Sequence, residues 1–275
     1  MKIDAHQHFW KYNREEYTWI SKQMCILKND YLPGELGLLV EQNGFHGTIA
    51  VQARQSLDET RWLLKLASEN EFIRGVVGWV DLCSMGIENQ LHEFIENPKF
   101  VGVRHVLQDE QDDYFMLREN FLRGTGFLGK FNLVYEILVF ARHLPQTIEF
   151  VSHFPDQLFV LDHIAKPDIK NRIITPWKEG ILKLAQFKNV SCKLSGMVTE
   201  ADWQNWSEED FRPYLDVVLN AFGTDRLMIG SDWPVCLIAG KYNEVMNIPY
   251  HYFNGFSSHE QEAIFGLNAK KVYRL

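Results

Sequence analysis

Two histidines, His6 and His8, stand two residues apart in the opening segment MKIDAHQHFW. Read as a β-strand, that segment puts Asp4, His6, His8 and Trp10 on one face and Ile3, Ala5 and Phe9 on the other. Two imidazoles on one face converge on a single small object: a metal ion, a water or a substrate oxygen. The apolar opposite face marks the strand as buried, and buried imidazoles need partners. Further polar side chains fall near the ends of other apolar runs: Arg104 and His105 in FVGVRHVL, His163 and Lys166 in LDHIAKP, and Asp232 in GSDWP. Arg104 and His105 are successive residues of one strand, so only one of them faces inward. Asp232 ends an apolar run, where an unpaired carboxylate costs several kcal/mol. Asp162 beside His163 reads as a candidate buried ion pair, while Asp81, Glu136 and His143 read as structural.

A carboxylate beside imidazoles and cations is equipment for hydrolysis. Asp232 takes a proton from water, and an imidazole or a cation polarises a carbonyl, a contribution of about 3 to 4 kcal/mol per well-placed donor. The chain has neither a Gly-x-Ser-x-Gly elbow nor a Cys-His signature, so water is the expected nucleophile.

These residues need a scaffold that gathers them. Eight short apolar segments read as strands: 1–10, 47–52, 73–81, 100–107, 133–138, 158–164, 190–196 and 226–233. Helical spacing predicts helices over 35–42, from Ser56 or Asp58 onward, and over 86–96, 177–187, 211–222 and 257–273. The segments 119–130, weakened by Gly124 and Gly126, and 140–150, containing Pro145, are poorer helices. Strict alternation argues for a parallel sheet, and eight units of this length argue for a single (β/α)8 TIM barrel over residues 1–275. A doubly wound open sheet is the alternative, but no Gly-rich phosphate loop follows the first strand. In a barrel, the ends of strands one, four, six and eight surround one mouth. The aromatic segment 11–33 reads as a long loop beside it.

The totals narrow the class. Hydrophobic residues make up 46% and charged residues 23% of the 275, as in a folded soluble protein. Net charge is -8 with Lys and Arg scattered, which argues against nucleic acid as a partner. Cys25, Cys83, Cys192 and Cys236 form no Cys-x-x-Cys pair, so free buried thiols are expected. With no basic leader and no membrane-length apolar run, the expected location is the cytoplasm and no membrane partner is expected.

DAHQHFW, GVRHV, LDHIAKP, CKLSG, GSDWPV and the terminal NAKKVYRL together resemble the amidohydrolase superfamily, in its sugar-lactonase branch of fuconolactonases and rhamnonolactonases. The resemblance implies a hydrolase that opens a sugar-acid lactone with water. It makes Asp232 the general base and His163 its catalytic companion. His6 and His8 face the substrate or a metal, Arg104 or His105 binds the lactone, and Lys166 and Trp233 line the pocket. Under this reading Trp10, Trp19 and neighbouring tyrosines of the loop stack on a sugar ring and cover the mouth; the alternative is that they cap the barrel core. Binuclear members carry a histidine at the end of the fifth strand, where this chain offers Glu136, so a two-metal centre is not expected. His6, His8 and Asp232 would make three ligands for one zinc ion. A reaction without metal is the first expectation, and a single divalent ion is the alternative. Two other functions compete: a metal-dependent decarboxylase of an aromatic acid, and a non-catalytic sugar-binding protein.

Overall fold

Seven consecutive parallel pairings link eight strands in chain order in the computed structural model, which describes residues 1–275. They are β1 (Ile3–Gln7), β2 (Gly47–Val51), β3 (Ile73–Gly78), β4 (Phe100–His105), β5 (Val134–Ile137), β6 (Phe159–Leu161), β7 (Val190–Leu194) and β8 (Leu227–Ile229). Just past β8 the chain turns back onto β1: Asp232 N–H donates to His6 O at 2.9 Å and His8 N–H to Trp233 O at 2.7 Å. Those bonds bring the first and last strands together as a barrel requires.

Helices cover the outside: α1 (Pro33–Gln42), α2 (Leu57–Glu69), α3 (Ile87–Phe94), α4 (Glu119–Leu128), α5 (Leu144–Ser152), α6 (Trp177–Leu184), α7 (Glu208–Phe222) and α8 (Tyr242–Tyr252). A last stretch runs through α9 (Ser258–Glu262), a π-helical turn (Ala263–Leu267) and α10 (Asn268–Tyr273). Ser56 is the N-cap of α2, its Oγ accepting from the N–H groups of Asp58 and Glu59. The poor helix of 119–130 forms as α4 despite its glycines, and for one of them the reason is packing. A Cβ on Gly124 would sit 1.9 Å from Leu82 O, so only glycine lets the helix approach that loop. In 140–150 the helix proper begins only at Leu144, with Pro145 in its first turn where a missing N–H costs nothing. Helix α8 was not expected from the sequence; Pro249 and a mixed polar pattern obscure its buried face of Tyr242, Val245, Met246 and Ile248.

The core has two layers. Inward-facing Ile3, Ala5, Val51, Val77, Val160 and Met228 fill the lower barrel, and Ala269 and Tyr273 of α10 pack against them. A larger cluster fills the space between sheet and helices. The expected strict alternation along the first strand fails at one point. Asp4 pairs with Thr48 but Gln7 with Ala50, so β1 carries one extra residue. The bulge turns His6 inward above Ile3 and Ala5 and leaves Asp4 outside, accepting from Ser231 N–H (2.9 Å), Ser231 Oγ (2.7 Å) and Tyr242 OH (3.1 Å). All four cysteines are free; Cys192 and Cys236 are buried, whereas Cys25 is exposed and Cys83 half-buried, so burial was expected of too many. No helix is long and apolar enough to cross a membrane.

Candidate active site

At the carboxyl ends of the strands a cavity of about 840 Å³ opens, and His8, Arg104, His163, Lys166 and Asp232 all line it. His6 lies beneath, fully buried, with Nε2 3.2 Å from His8 Nε2. The gathering of strand-end residues therefore holds for six positions. Three others stand behind the wall. His105 faces outward, its ring stacked on Phe115 at 5.0 Å and its Nε2 2.7 Å from Glu110 Oε1; it props Glu110 into the cavity without entering. Trp233 is buried against Phe9 and Tyr31. Trp10 is tied to the loop by Nε1 donating to Asn29 O at 3.0 Å. These two rings belong to the core, and it is Trp19 of the same loop that reaches the cavity. An aromatic next to a site satisfies its burial equally well on either side of the wall, which is why the sequence does not separate them.

Beneath the cavity lies a charge network that sequence reasoning missed. Lys193, fully buried in β7, has its Nζ 2.6 Å from Glu136 Oε1, 3.2 Å from Asp162 Oδ1 and 3.0 Å from His6 Nδ1. Asp162 pairs with Arg104 (3.1 Å) and with Lys193 rather than with its chain neighbour His163. Arg104 also donates to Gln52 O, which fixes the guanidinium plane at the wall. Tyr273 OH donates to Glu136 Oε1 at 2.5 Å, linking the last helix to the site. Burial works against the Asp162 carboxylate, but Lys193 and His6 outweigh it and hold its pKa well below the ordinary value. Burial lowers His6 and His163 well below the ordinary imidazole value, and lowers His8 as well, so all three rings are neutral near pH 7. Burial also opposes the Asp232 carboxylate, yet His163, His8 and Lys166 hold its pKa below normal. It is an ionised carboxylate buried among three imidazole rings.

His163 reaches the cavity through an unusual turn. Four successive residues, His163 to Lys166, have φ between 47° and 59°, a region that costs roughly 1–2 kcal/mol per non-glycine residue. The turn is held by Trp177 Nε1 donating to Ile164 O at 2.6 Å and by burial of Ile164 and Ala165. It ends the sixth strand three residues before the expected 164 and aims His163 and Lys166 into the mouth. His163 Nδ1 lies 2.9 Å from Ser195 Oγ; when that hydroxyl donates, the ring proton sits on Nε2. Gly196 makes room, since a Cβ there would lie 2.5 Å from His163 Nδ1, and its own φ is +60°. Gly196→Ala is accordingly expected to destabilise the protein by about 2 kcal/mol or more, read as a fall in the urea midpoint. An unchanged midpoint would refute the packing argument.

Three donor atoms also have the spacing of metal ligands. His6 Nε2, His8 Nε2 and Asp232 Oδ1 are separated by 3.2, 3.4 and 3.8 Å. Ligands about 2.0–2.1 Å from a tetrahedral zinc stand about 3.3 Å apart, so the set fits one divalent ion. His8 Nδ1, 2.8 Å from Val51 O, donates there in the tautomer that leaves Nε2 free to ligate. Glu136 at the fifth strand is buried against Lys193 and Tyr273, away from these donors.

Comparison with known proteins agrees with this architecture. The chain is 40% identical to an L-fucono-1,5-lactonase of Burkholderia multivorans over 100% of its own length and 96% of the relative's. It is 35% identical to an L-fucono-1,5-lactonase of Burkholderia ambifaria, covering 88% of this chain and 83% of the other. A crystal structure of an amidohydrolase from Burkholderia multivorans with bound zinc superposes with a TM-score of 0.96 at 40% identity, over 100% of this chain and 99% of that one. Residues 3–275 match the sequence profile described as amidohydrolase, and the chain belongs to the amidohydrolase family.

Proposed function

We propose that this protein hydrolyses a sugar-acid lactone, with L-fucono-1,5-lactone as the first candidate. The observation that carries the reading is the buried Asp232 set beside His6 and His8 at the barrel mouth, in a chain 40% identical along its whole length to an L-fucono-1,5-lactonase. Water held by Asp232 adds to the lactone carbonyl as the carboxylate takes its proton. His163 Nε2–H and the cations of Arg104 and Lys166 face the same cavity and stabilise the oxyanion that forms. The ring C–O bond then breaks to give the open hydroxy acid. Lactones are activated esters, which makes a reaction without metal chemically accessible to these side chains. His6, His8 and Asp232 would hold a single divalent ion, which would supply Lewis-acid chemistry at the same place. Arg54, Gln55 and Gln108 offer hydrogen bonds to hydroxyl groups, and Trp19, Trp203 and Phe140 offer apolar faces to a sugar ring. The partner is thus a small polyhydroxylated molecule.

The test is acid release from a panel of aldonolactones by purified, chelator-treated protein, followed with a pH indicator, with and without added zinc. Acid from fuconolactone or rhamnonolactone is the expected result. Activity surviving chelation assigns the reaction to side chains alone; activity returning only with zinc assigns it to the single-ion alternative. No acid from any lactone, with carbon dioxide released from an aromatic acid, would replace this reading with the decarboxylase.

A further inference from the structure

Hydrolysis of a sugar lactone needs a second proton transfer, from a donor to the departing ring oxygen. The ring oxygen departs as an alkoxide, a poor leaving group until it is protonated. Resting on the lactonase reading above, we propose that Glu200, held beside Lys166 in the cavity wall, donates that proton.

Glu200 ends the short turn Val198–Glu200 that follows β7, and it lines the cavity together with Lys166, His163 and Asp232. Its Oε1 lies 3.6 Å from Lys166 Nζ and 3.4 Å from Thr199 Oγ1. Lys166 itself is placed by the left-handed turn after β6, with its Nζ 5.5 Å from the centre of the Phe140 ring. The other acidic side chains of the cavity are committed or outlying. Glu16 takes the Arg54 guanidinium at 2.6 Å, Glu110 takes His105 at 2.7 Å, and Asp109 is exposed. Burial raises the Glu200 carboxyl above its ordinary value and the nearby Asp232 charge adds to the rise, while Lys166 limits it. Glu200 and Asp232 line the same cavity, so one carboxyl group can give a proton to a bound lactone while the other takes one from water.

The step balances. Water oxygen bonds the carbonyl carbon as one water proton moves to Asp232. On collapse the ring C–O bond breaks, its electron pair goes to the ring oxygen, and that oxygen takes the Glu200 proton. Solvent then carries a proton away from Asp232 and returns one to Glu200, so the net change is lactone plus water to hydroxy acid.

The experiment compares wild type, Glu200→Gln and Glu200→Ala on the sugar lactone that wild type opens best, with sodium formate added to each. The expected result is a kcat loss of about 100-fold or more in both variants. KM is expected to stay within about threefold, and formate, through the formic acid in equilibrium with it, to restore part of the lost kcat only in Glu200→Ala. Kinetics of Glu200→Gln within threefold of wild type would return the second transfer to Asp232 and overturn the inference. A loss confined to KM, or a kcat loss that formate does not relieve, overturns it too, because a group that only binds or braces is not replaced by a small acid. Wild type inactive on every lactone would remove the lactonase reading itself, a distinct outcome.

Discussion

Asp232→Asn is expected to lower kcat for lactone hydrolysis by about three to four orders of magnitude while leaving KM within a few-fold. Asparagine has the same shape but no basic oxygen, so the water loses its proton acceptor and little else changes. The backbone at this position has φ of +56°, a conformation that asparagine tolerates about as well as any residue with a side chain. The bonds that hold the turn are main-chain or belong to neighbours: Asp232 N–H to His6 O, Ser231 Oγ to Asp4, and Trp233 N–H to Ser231 Oγ. Folding is therefore expected to be preserved, and thermal unfolding should show a transition close to that of wild type. Activity in the variant above one tenth of wild type would exclude Asp232 as the base. If the chain were a non-catalytic sugar binder, the substitution would leave ligand affinity, and everything else measured, unchanged.

The barrel was legible in the sequence because nearly every strand position is buried, so each strand reads as a short apolar run between helical segments. The mouth was legible for the same reason, since His6, Arg104, His163 and Asp232 interrupt or end such runs. What remained hidden depends on distances across the barrel. Lys193 did carry a signal, a lone lysine in VSCKLSG, but its partners Glu136 and Asp162 come from β5 and from the turn after β6. Glu200 carried none, because it sits in a loop whose composition resembles any surface segment. The choice between Arg104 and His105 is made by the pairing of β4 with its neighbours. Val76 faces Phe100 but Val77 faces Gly102, so β4 gains a residue and Arg104 turns inward. No pattern of residue types announces that shift. Trp10 and Trp233 show the converse limit, where a residue type favoured in sugar sites is spent on packing.

The largest expected effect on stability is at Lys193. Its ammonium group is buried with two carboxylates and the His6 ring, so Lys193→Met removes the cation and leaves Glu136 and Asp162 facing each other in the barrel interior. Breaking a buried pair by deleting one partner costs about 3–5 kcal/mol, because the remaining charge has neither water nor counter-ion. For a chain of this size that corresponds to a fall in Tm on the order of 10 °C. Asp162 keeps Arg104, so most of the penalty falls on Glu136, whose other oxygen, Oε2, has no hydrogen-bond partner. Adding Glu136→Gln should then recover part of the loss, and a double-mutant cycle from thermal or urea unfolding measures the coupling. A single variant within about 1 kcal/mol of wild type would show the network to be dispensable. A double variant no more stable than Lys193→Met would show that the stranded charge is not the cause. The same substitution reaches the chemistry, since Lys193 Nζ is one of the two polar groups against His6 Nδ1, the other being Asp162 Oδ1 at 3.4 Å. Without the lysine, Asp162 is the one polar group left against His6 Nδ1, with Arg104 and His8 still against Nε2, so the ring loses one of its anchors; kcat should fall, and Glu136→Gln should restore stability but not activity. That separation would place Lys193 as a positioning residue as well as the counter-charge of the barrel floor.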